Sequence, residues 1–214
     1  MPRLLPSFST RNRMLAELRH PLNIMVARFF GDVFCYLNGR GNAESPGLIP
    51  LRVLDKLKAA DEARRESGEP LIVLSNSMGC SIFYDVVTYF LPRIPQYSGI
   101  RIDYWCSVAS QVGLFEELKL FLVSSDAYGK DKGNKVPFPD SKNLGVWWNV
   151  WDVDDLISYS ARDIFEGVDD TPFSVGEVLL KEHVGYLQHE AFYTTFAARV
   201  RQAFKAPDII APND

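Results

Sequence analysis

The chain has 214 residues, of which 47% are hydrophobic and 23% are charged, and its formal net charge is −4. This length suits one domain with a substantial buried core, and the composition excludes a disordered or fibrous chain. The acidic excess gives no support to nucleic-acid binding, which normally needs a basic face to neutralise phosphates. We therefore predict a single domain over residues 1–214.

Neither the cysteines nor the apolar runs indicate export or membrane insertion. Cys35, Cys80 and Cys106 are odd in number and lack the paired spacing of a disulfide framework or a zinc site. No apolar run approaches the roughly 18 residues of a membrane span, and the N-terminus lacks the apolar core of a signal peptide. We expect a soluble cytoplasmic protein without a metal or other cofactor.

The first 48 residues are expected to form a helical or irregular segment. Apolar residues between Met14 and Phe29 recur every three or four positions, which predicts a helix interrupted by Pro21. Residues 31–37 (GDVFCYL) fit either a short strand or the end of a buried helix, and periodicity does not decide between them.

After this segment, the pattern predicts helices alternating with strands. Residues 49–66 have helical spacing, and the apolar run Leu71–Leu74 then predicts a strand buried on both faces. Further strands are predicted at Ile102–Val108, Val146–Trp151 and, more weakly, 174–180, and amphipathic helices follow the first strand and close the chain at 187–204. This alternation predicts an α/β fold with a mostly parallel sheet flanked by helices.

One long polar segment stands apart from these elements. Residues 122–142 are rich in glycine and proline, and loops of this length are uncommon unless they are functional or disordered. We expect either a cap over a site or a mobile insertion.

The turn after the first strand carries candidate chemistry. Ser77 is flanked at minus two and plus two by Ser75 and Gly79, and small residues there let a strand and a helix pass closely. The following helix points its first amides at the turn, so the Met78 N–H is the natural donor to a developing oxyanion. The alternative is an ordinary strand–helix connection with Ser77 as the N-cap.

A serine nucleophile also needs a base and an acid that orients the base. Among the histidines, His183 is the candidate base because it is expected in a loop at the top of the sheet. His20 lies in a region without a carboxylate motif, and His189 falls within the predicted last helix. The candidate acids follow the third strand and are Asp152, Asp154 and Asp155.

These segments resemble the α/β-hydrolases of the lipase and esterase kind. Residues 71–87 (LIVLSNSMGCSIFYDVV) are similar to the nucleophile-elbow segment, with Ser75 where glycine is usual. Three later segments are similar to the strand end and turn, the acid segment and the histidine loop of that family: VASQVGLF (108–115), WNVWDVDDLIS (148–158) and HVGY (183–186). The resemblance covers about residues 50–205, and it implies Asp155 as the acid, with Asp154 as its main competitor.

The resemblance implies a serine hydrolase that cleaves a carboxylic ester or thioester through an acyl-enzyme on Ser77. His183 would be general base and then general acid, Asp155 would orient it, and the Met78 N–H would bind the oxyanion. The substrate would be a small-molecule or lipid-like ester.

The chain departs from the family pattern upstream of the elbow. A second oxyanion donor usually follows an earlier strand, and no such strand is evident before residue 71. The expected fold is therefore α/β-hydrolase-like but shortened at the N-terminus. The first alternative is a non-catalytic scaffold or interaction protein of this fold. A nucleotide-binding fold is a weaker alternative, because residues 38–42 (NGRGN) lack the required glycine spacing.

The same departure predicts an uncovered sheet edge. Residues 25–37 are the only apolar stretch upstream that could cover the strand at 71–75. An uncovered apolar edge promotes association with other chains. We therefore expect weak or absent turnover, together with either self-association or close packing of residues 25–37 against the sheet.

Overall fold

A four-stranded, all-parallel sheet forms the centre of the computed structural model, which describes residues 8–130, 133–174, 176 and 182–205. The strands are β1 (Ile72–Asn76), β2 (Ile102–Val108), β3 (Leu144–Trp151) and β4 (Asp169–Pro172). Their order in the sheet follows their order in the chain, and each pairs in parallel with the next. The predicted α/β class is confirmed.

Helices precede, connect and follow these strands. They are α1 (Phe8–Gly39), α2 (Leu48–Ser67), α3 (Met78–Asp85), α4 (Leu91–Arg93), α5 (Val112–Glu117), α6 (Glu182–Gly185) and α7 (Glu190–Ala203). A π-helical turn (Val86–Phe90) joins α3 to α4, and a 3₁₀ turn (Tyr186–Gln188) follows α6. The first strand, the second strand and the closing helix lie where the sequence predicts them. The expectation that the first strand is buried on both faces is wrong, because none of its residues is fully buried and Leu74 is exposed.

Both faces of the sheet are covered by aromatic packing. On one face, Trp105 and Trp147 stack with ring centroids 4.5 Å apart, and Phe83 of α3 packs on Trp105. On the other face, Trp148 stacks against Phe192 of α7 at 6.1 Å. Because neighbouring residues of a strand point to opposite faces, Trp147 and Trp148 join β3 to both helical layers.

Helix α1 differs from the expected N-terminal segment. It continues through Pro21, and residues 31–37 belong to it as helix rather than strand. A proline removes one backbone donor, and the turns on either side carry the helix past it. The buried Tyr36 donates to the Asp85 carboxylate of α3 at 2.9 Å, so the C-terminal part of α1 packs on the α3 layer.

The fourth strand also differs from its predicted position. Residues 175 and 177–180 of the expected strand at 174–180 lie outside the described residues, and β4 is formed by Asp169–Pro172. The buried Asp170 carboxylate accepts hydrogen bonds from the Asn149 side chain, the Ser160 hydroxyl and the Ala161 N–H. Polar side-chain bonds, rather than apolar periodicity, therefore fix this strand.

Strand β1 lies at an edge of the described sheet. Residues 8–70 contain helices and a bridge between Gly41 and Pro46, and the expectation that they hold no regular strand is confirmed. Within the described chain, β1 thus pairs with β2 alone. No helix among the described residues has the length and apolar character needed to cross a membrane.

The described part of residues 122–142 is tied to neighbouring elements. The Leu122 N–H donates to Asp85 at 3.0 Å, and the Ser125 N–H donates to Glu116 of α5 at 2.8 Å. Further on, the Val136 N–H donates to the Ile164 carbonyl at 2.8 Å. The segment thus lies along α5 and the loop that leads to β4.

Candidate active site

Ser77 occupies a strained turn between β1 and α3. Its backbone angles are φ 53° and ψ −132°, a region that non-glycine residues rarely adopt. The Ser77 N–H donates to the Val108 carbonyl at 2.9 Å, and the Cys80 N–H donates to the Ser77 carbonyl at 2.9 Å. The end of β2 and the first turn of α3 therefore hold this conformation at the carboxyl end of the sheet.

Ser75 and Gly79, which flank Ser77, are expected to let the strand and helix backbones approach closely. The structure gives them different surroundings. Ser75 accepts a hydrogen bond from the Trp105 indole at 2.8 Å and donates to the Cys80 sulfur at 3.2 Å, which links β1, β2 and α3. A Cβ atom added at Gly79 would meet no atom of the described chain within 4 Å. The expected steric requirement at plus two is therefore wrong for Gly79.

The Cys80 thiol is buried beside Ser75. Burial raises the pKa of Cys80 to about 11, and its hydrogen bond with Ser75 acts in the opposite direction. Because the thiolate is the reactive form of a cysteine, this burial disfavours reaction at Cys80. Cys106 is also buried, and Cys35 is exposed.

His183 lies beside the Ser77 hydroxyl. The distance from Ser77 Oγ to His183 Nε2 is 2.6 Å, and His183 lies in the helical turn α6 rather than in the predicted loop. His189 precedes α7 instead of lying inside it, and its ring packs near Phe173 at 6.4 Å. Of these two histidines, the structure brings His183 to the elbow.

Asp155 is the acid that meets His183. The distance from His183 Nδ1 to Asp155 Oδ2 is 2.9 Å, and the distance to Oδ1 is 3.2 Å. Asp154 is exposed, and its N–H donates to the Asp152 carboxylate at 3.1 Å. The structure thus separates the three neighbouring acids by their contacts, and Asp155 is the one aligned with the imidazole.

The Asp155 carboxylate has two further donors. The Ile157 N–H donates to Oδ1 at 3.2 Å, and the buried Tyr186 hydroxyl donates to Oδ2 at 3.1 Å. Sequence reasoning missed both contacts. The spacing between His183 and Tyr186 was an available signal, because residues three apart lie on one face of a helical turn.

Hydrogen bonds from the end of β2 fix the loop that carries Asp155. The Gln111 side chain donates to the Ala109 and Ile157 carbonyls, each at 2.7 Å. The Tyr159 N–H donates to the Ser110 carbonyl at 3.0 Å. The acid loop and the β2 end that holds Ser77 therefore form one hydrogen-bonded unit.

Met78, whose N–H is the predicted oxyanion donor, directly follows Ser77. It is the first residue of α3, so its N–H has no acceptor within the helix. Together with the positive end of the helix dipole, this amide favours negative charge beside Ser77 Oγ.

An apolar cavity of about 270 Å³ lies beside the acid loop. Ile157 and Tyr159 form one wall, and Phe29 and Phe30 of α1 form another. The remaining lining comes from α5 and the residues that follow it.

In this arrangement, a proton can pass from the Ser77 hydroxyl to Nε2 of His183, while the buried Asp155 carboxylate contacts Nδ1 on the other side of the ring.

No cluster of histidine, cysteine, aspartate or glutamate suited to a metal ion occurs within the described part of the chain. Comparisons of the chain with models of protein families, with curated proteins and with solved structures gave no match.

Proposed function

We propose that this protein is a serine hydrolase that cleaves a carboxylic ester or thioester through an acyl-enzyme on Ser77. The observation that carries the proposal is the continuous contact from Ser77 Oγ to His183 Nε2 (2.6 Å) and from His183 Nδ1 to Asp155 Oδ2 (2.9 Å). A serine hydroxyl is a weak nucleophile at neutral pH, and a base within hydrogen-bonding distance activates it.

The backbone of Ser77 supports the same proposal. Conformations of this kind cost on the order of 1–3 kcal/mol and persist where surrounding structure over-determines them. They occur preferentially where a mechanism uses the resulting side-chain placement. The hydrogen bonds to Val108 and Cys80 supply that constraint here.

In the acylation step, Ser77 Oγ attacks the carbonyl carbon while His183 Nε2 accepts the hydroxyl proton. The carbonyl oxygen takes the negative charge and receives a hydrogen bond from the Met78 N–H. Asp155 holds the ring through Nδ1 and stabilises the imidazolium that forms. The tetrahedral species then collapses, the bond to the alcohol or thiol breaks, and His183 gives its proton to that leaving group.

In the deacylation step, water replaces the leaving group. His183 Nε2 accepts a proton from the water as its oxygen attacks the acyl carbon. Collapse of the second tetrahedral species breaks the bond to Ser77 Oγ, which takes the proton back from His183. The products are a carboxylic acid and the free enzyme.

The cavity beside the acid loop adjoins the site through Ile157, and Ser77, Met78 and His183 do not line it. Its walls include Ile157, whose N–H binds the Asp155 carboxylate, and the phenylalanines of α1. Small-molecule sites are typically concave and lined by apolar side chains. We therefore propose an ester with an apolar acyl or alcohol portion as the substrate class.

Covalent labelling with a fluorophosphonate probe tests the proposed function. The probe should label the parent protein and fail to label Ser77→Ala. Ser98→Ala is the matched control, because Ser98 donates to the Pro95 carbonyl and precedes the amino end of β2. That control should be labelled like the parent.

Measurement of kcat on ester and thioester substrates is the second test of the proposed function. Removal of Ser77 should lower kcat by about 10³-fold or more. Equal hydrolysis by the parent and Ser77→Ala would refute the nucleophile. Absence of both labelling and turnover in the folded parent would favour the non-catalytic scaffold.

A further inference from the structure

Tyr186 shares one carboxylate oxygen with His183. The Tyr186 hydroxyl donates to Asp155 Oδ2 at 3.1 Å, and His183 Nδ1 lies 2.9 Å from the same atom. The side chain of Tyr186 is fully buried, with 0% of the residue exposed. Its hydroxyl therefore makes this contact in a setting where water does not compete with it.

The hydroxyl stays protonated and so acts as a donor. Burial raises the pKa of Tyr186 well above the ordinary value, and the negative charge of Asp155 raises it further. A neutral donor to a carboxylate stabilises the charged form of the acid and withdraws negative charge from the bonded oxygen.

Tyr186 and His183 come from the same short stretch of chain. His183 lies in α6, and Tyr186 begins the 3₁₀ turn that follows it. The Tyr186 ring packs against Phe173 with centroids 6.2 Å apart, which fixes the ring from the side of the chain after β4. The hydroxyl thus meets Asp155 from a rigid platform.

We propose that Tyr186 is a positioning residue for the Ser77–His183–Asp155 array. Its hydroxyl holds Asp155 Oδ2 in line with His183 Nδ1 and limits how strongly Asp155 stabilises the protonated imidazole. Its part in catalysis rests on the proposed function, whereas its effect on His183 is measurable without any turnover.

The other ionisable groups around this contact remain in place when the hydroxyl is removed. Asp152 and Tyr159 face it from the acid loop, and the charge of Asp155 acts on both tyrosines. Ser77 meets the opposite nitrogen of His183. Tyr186→Phe keeps the buried ring, so a change at His183 reports the hydroxyl rather than lost packing.

Proton NMR titration of the histidine side chains in the full chain tests the inference. In Tyr186→Phe, the His183 midpoint should move upward by about half a pH unit, because the more basic carboxylate favours the imidazolium. Tyr97→Phe is the matched control, since the buried Tyr97 also donates its hydroxyl to a carboxylate, that of Asp55, at 2.6 Å. The control should leave the midpoint unchanged, and His183→Gln and His189→Gln assign the resonances.

A double variant identifies the route of the effect. When Asp155→Asn is already present, adding Tyr186→Phe should produce no further shift of the His183 midpoint. In the active protein, the midpoint of the acidic limb of the kcat/KM profile should move to higher pH together with the NMR midpoint in Tyr186→Phe and stay in place in Tyr97→Phe. An unchanged His183 midpoint in folded Tyr186→Phe, or an equal shift in the absence of the Asp155 carboxylate, would overturn the inference.

An upward NMR shift in a protein without turnover would support the Tyr186 contact and contradict the proposed function. The two proposals therefore fail on different measurements.

Discussion

Asp154 and Asp155 are neighbours in the chain with different surroundings. Asp155 is buried and meets His183 Nδ1, whereas Asp154 is exposed beyond the strand end. A carboxylate that orients the base is worth up to about 10⁴-fold in rate, because its amide replacement favours the wrong tautomer. We expect Asp155→Asn to lower kcat/KM by about 10³–10⁴-fold and Asp154→Asn to retain the parent value.

Measurement of kcat/KM for both variants on one ester substrate checks this prediction. Asp152→Asn belongs in the same series, because the Asp152 carboxylate accepts the Asp154 N–H and orders the turn. Loss of activity in Asp154→Asn together with retained activity in Asp155→Asn would show that Asp154, and not Asp155, is the acid.

Ser77 and Tyr186 show what sequence reasoning reaches at the scale of residues. Ser77 is recognisable because an apolar run, small flanking residues and a helical pattern occur in one continuous segment. The spacing of Tyr186 from His183 indicates that they share one face of a turn, but the carboxylate that Tyr186 contacts lies 31 positions earlier in the chain, and local spacing does not identify that partner. Contacts of this kind depend on how α6 docks against the acid loop.

At the scale of elements, a buried ionic cluster joins α1 to the α3 layer. The Asp85 carboxylate accepts hydrogen bonds from Tyr36 at 2.9 Å, Arg40 at 2.7 Å and the Leu122 N–H at 3.0 Å. Arg40 also donates to the Leu120 carbonyl at 2.8 Å. Burial raises the pKa of Asp85, while the Leu122 N–H, Arg40 and Tyr36 act in the opposite direction. These contacts place α1 beside the segment that follows α5.

Removal of Arg40 should therefore destabilise the fold. Arg40→Met leaves a buried carboxylate without its cation, which costs about 3–5 kcal/mol of unfolding free energy. The pKa of Asp85 is raised in the folded state, so its ionisation opposes folding as the pH rises above the ordinary carboxyl range. The deficit of Arg40→Met should consequently shrink as the pH is lowered and Asp85 takes up a proton.

Urea denaturation of the parent and Arg40→Met at several pH values measures this deficit. Arg52→Met is the control, because Arg52 lies exposed on α2. A deficit below 1 kcal/mol at neutral pH, or one that grows on acidification, would contradict the assigned role of the cluster.

The sequence predicts best the strands that are richest in apolar residues. Strands β2 and β3 are runs of apolar residues, and their positions were evident from the sequence. Strand β4 contains Asp169 and Asp170 and is held by side-chain hydrogen bonds, so its composition indicates a turn. Helix α1 passes through Pro21 because tertiary contacts near its C-terminus outweigh one lost backbone bond.

At the scale of the whole molecule, the two edges of the sheet have different protection. The β4 edge carries Asp169 and Pro172, and charges and proline are common devices against edge-to-edge pairing. The β1 edge carries neither, and Leu74 is 39% exposed. In the stretch 26–37, Val33 and Tyr36 are buried and Tyr36 donates to Asp85 of α3, whereas Phe30 and Phe34 are exposed. Because the Tyr36 contact is with α3, self-association through β1 remains the prediction that follows from the expected uncovered edge.

We expect concentration-dependent self-association that Leu74→Lys suppresses, because a lysine on an edge strand opposes pairing. Sedimentation velocity over a range of protein concentrations measures it. Leu48→Lys removes a more exposed leucine at the start of α2, outside the sheet, and should leave association unchanged. A parent protein that stays monomeric throughout, or equal suppression by both variants, would exclude the β1 edge as the contact.

The sequential strand order has a consequence for how the molecule assembles during synthesis. Because each strand pairs with the next one made, the sheet can grow in the direction of translation. Ser77 emerges first and Asp155 second, while His183 and Tyr186 follow the last described strand. The Ser77 hydroxyl therefore has no base beside it until the 182–188 segment has been translated and docked. We therefore expect the Ser77–His183 contact to form late in folding, when the 182–188 segment docks at the carboxyl end of the sheet.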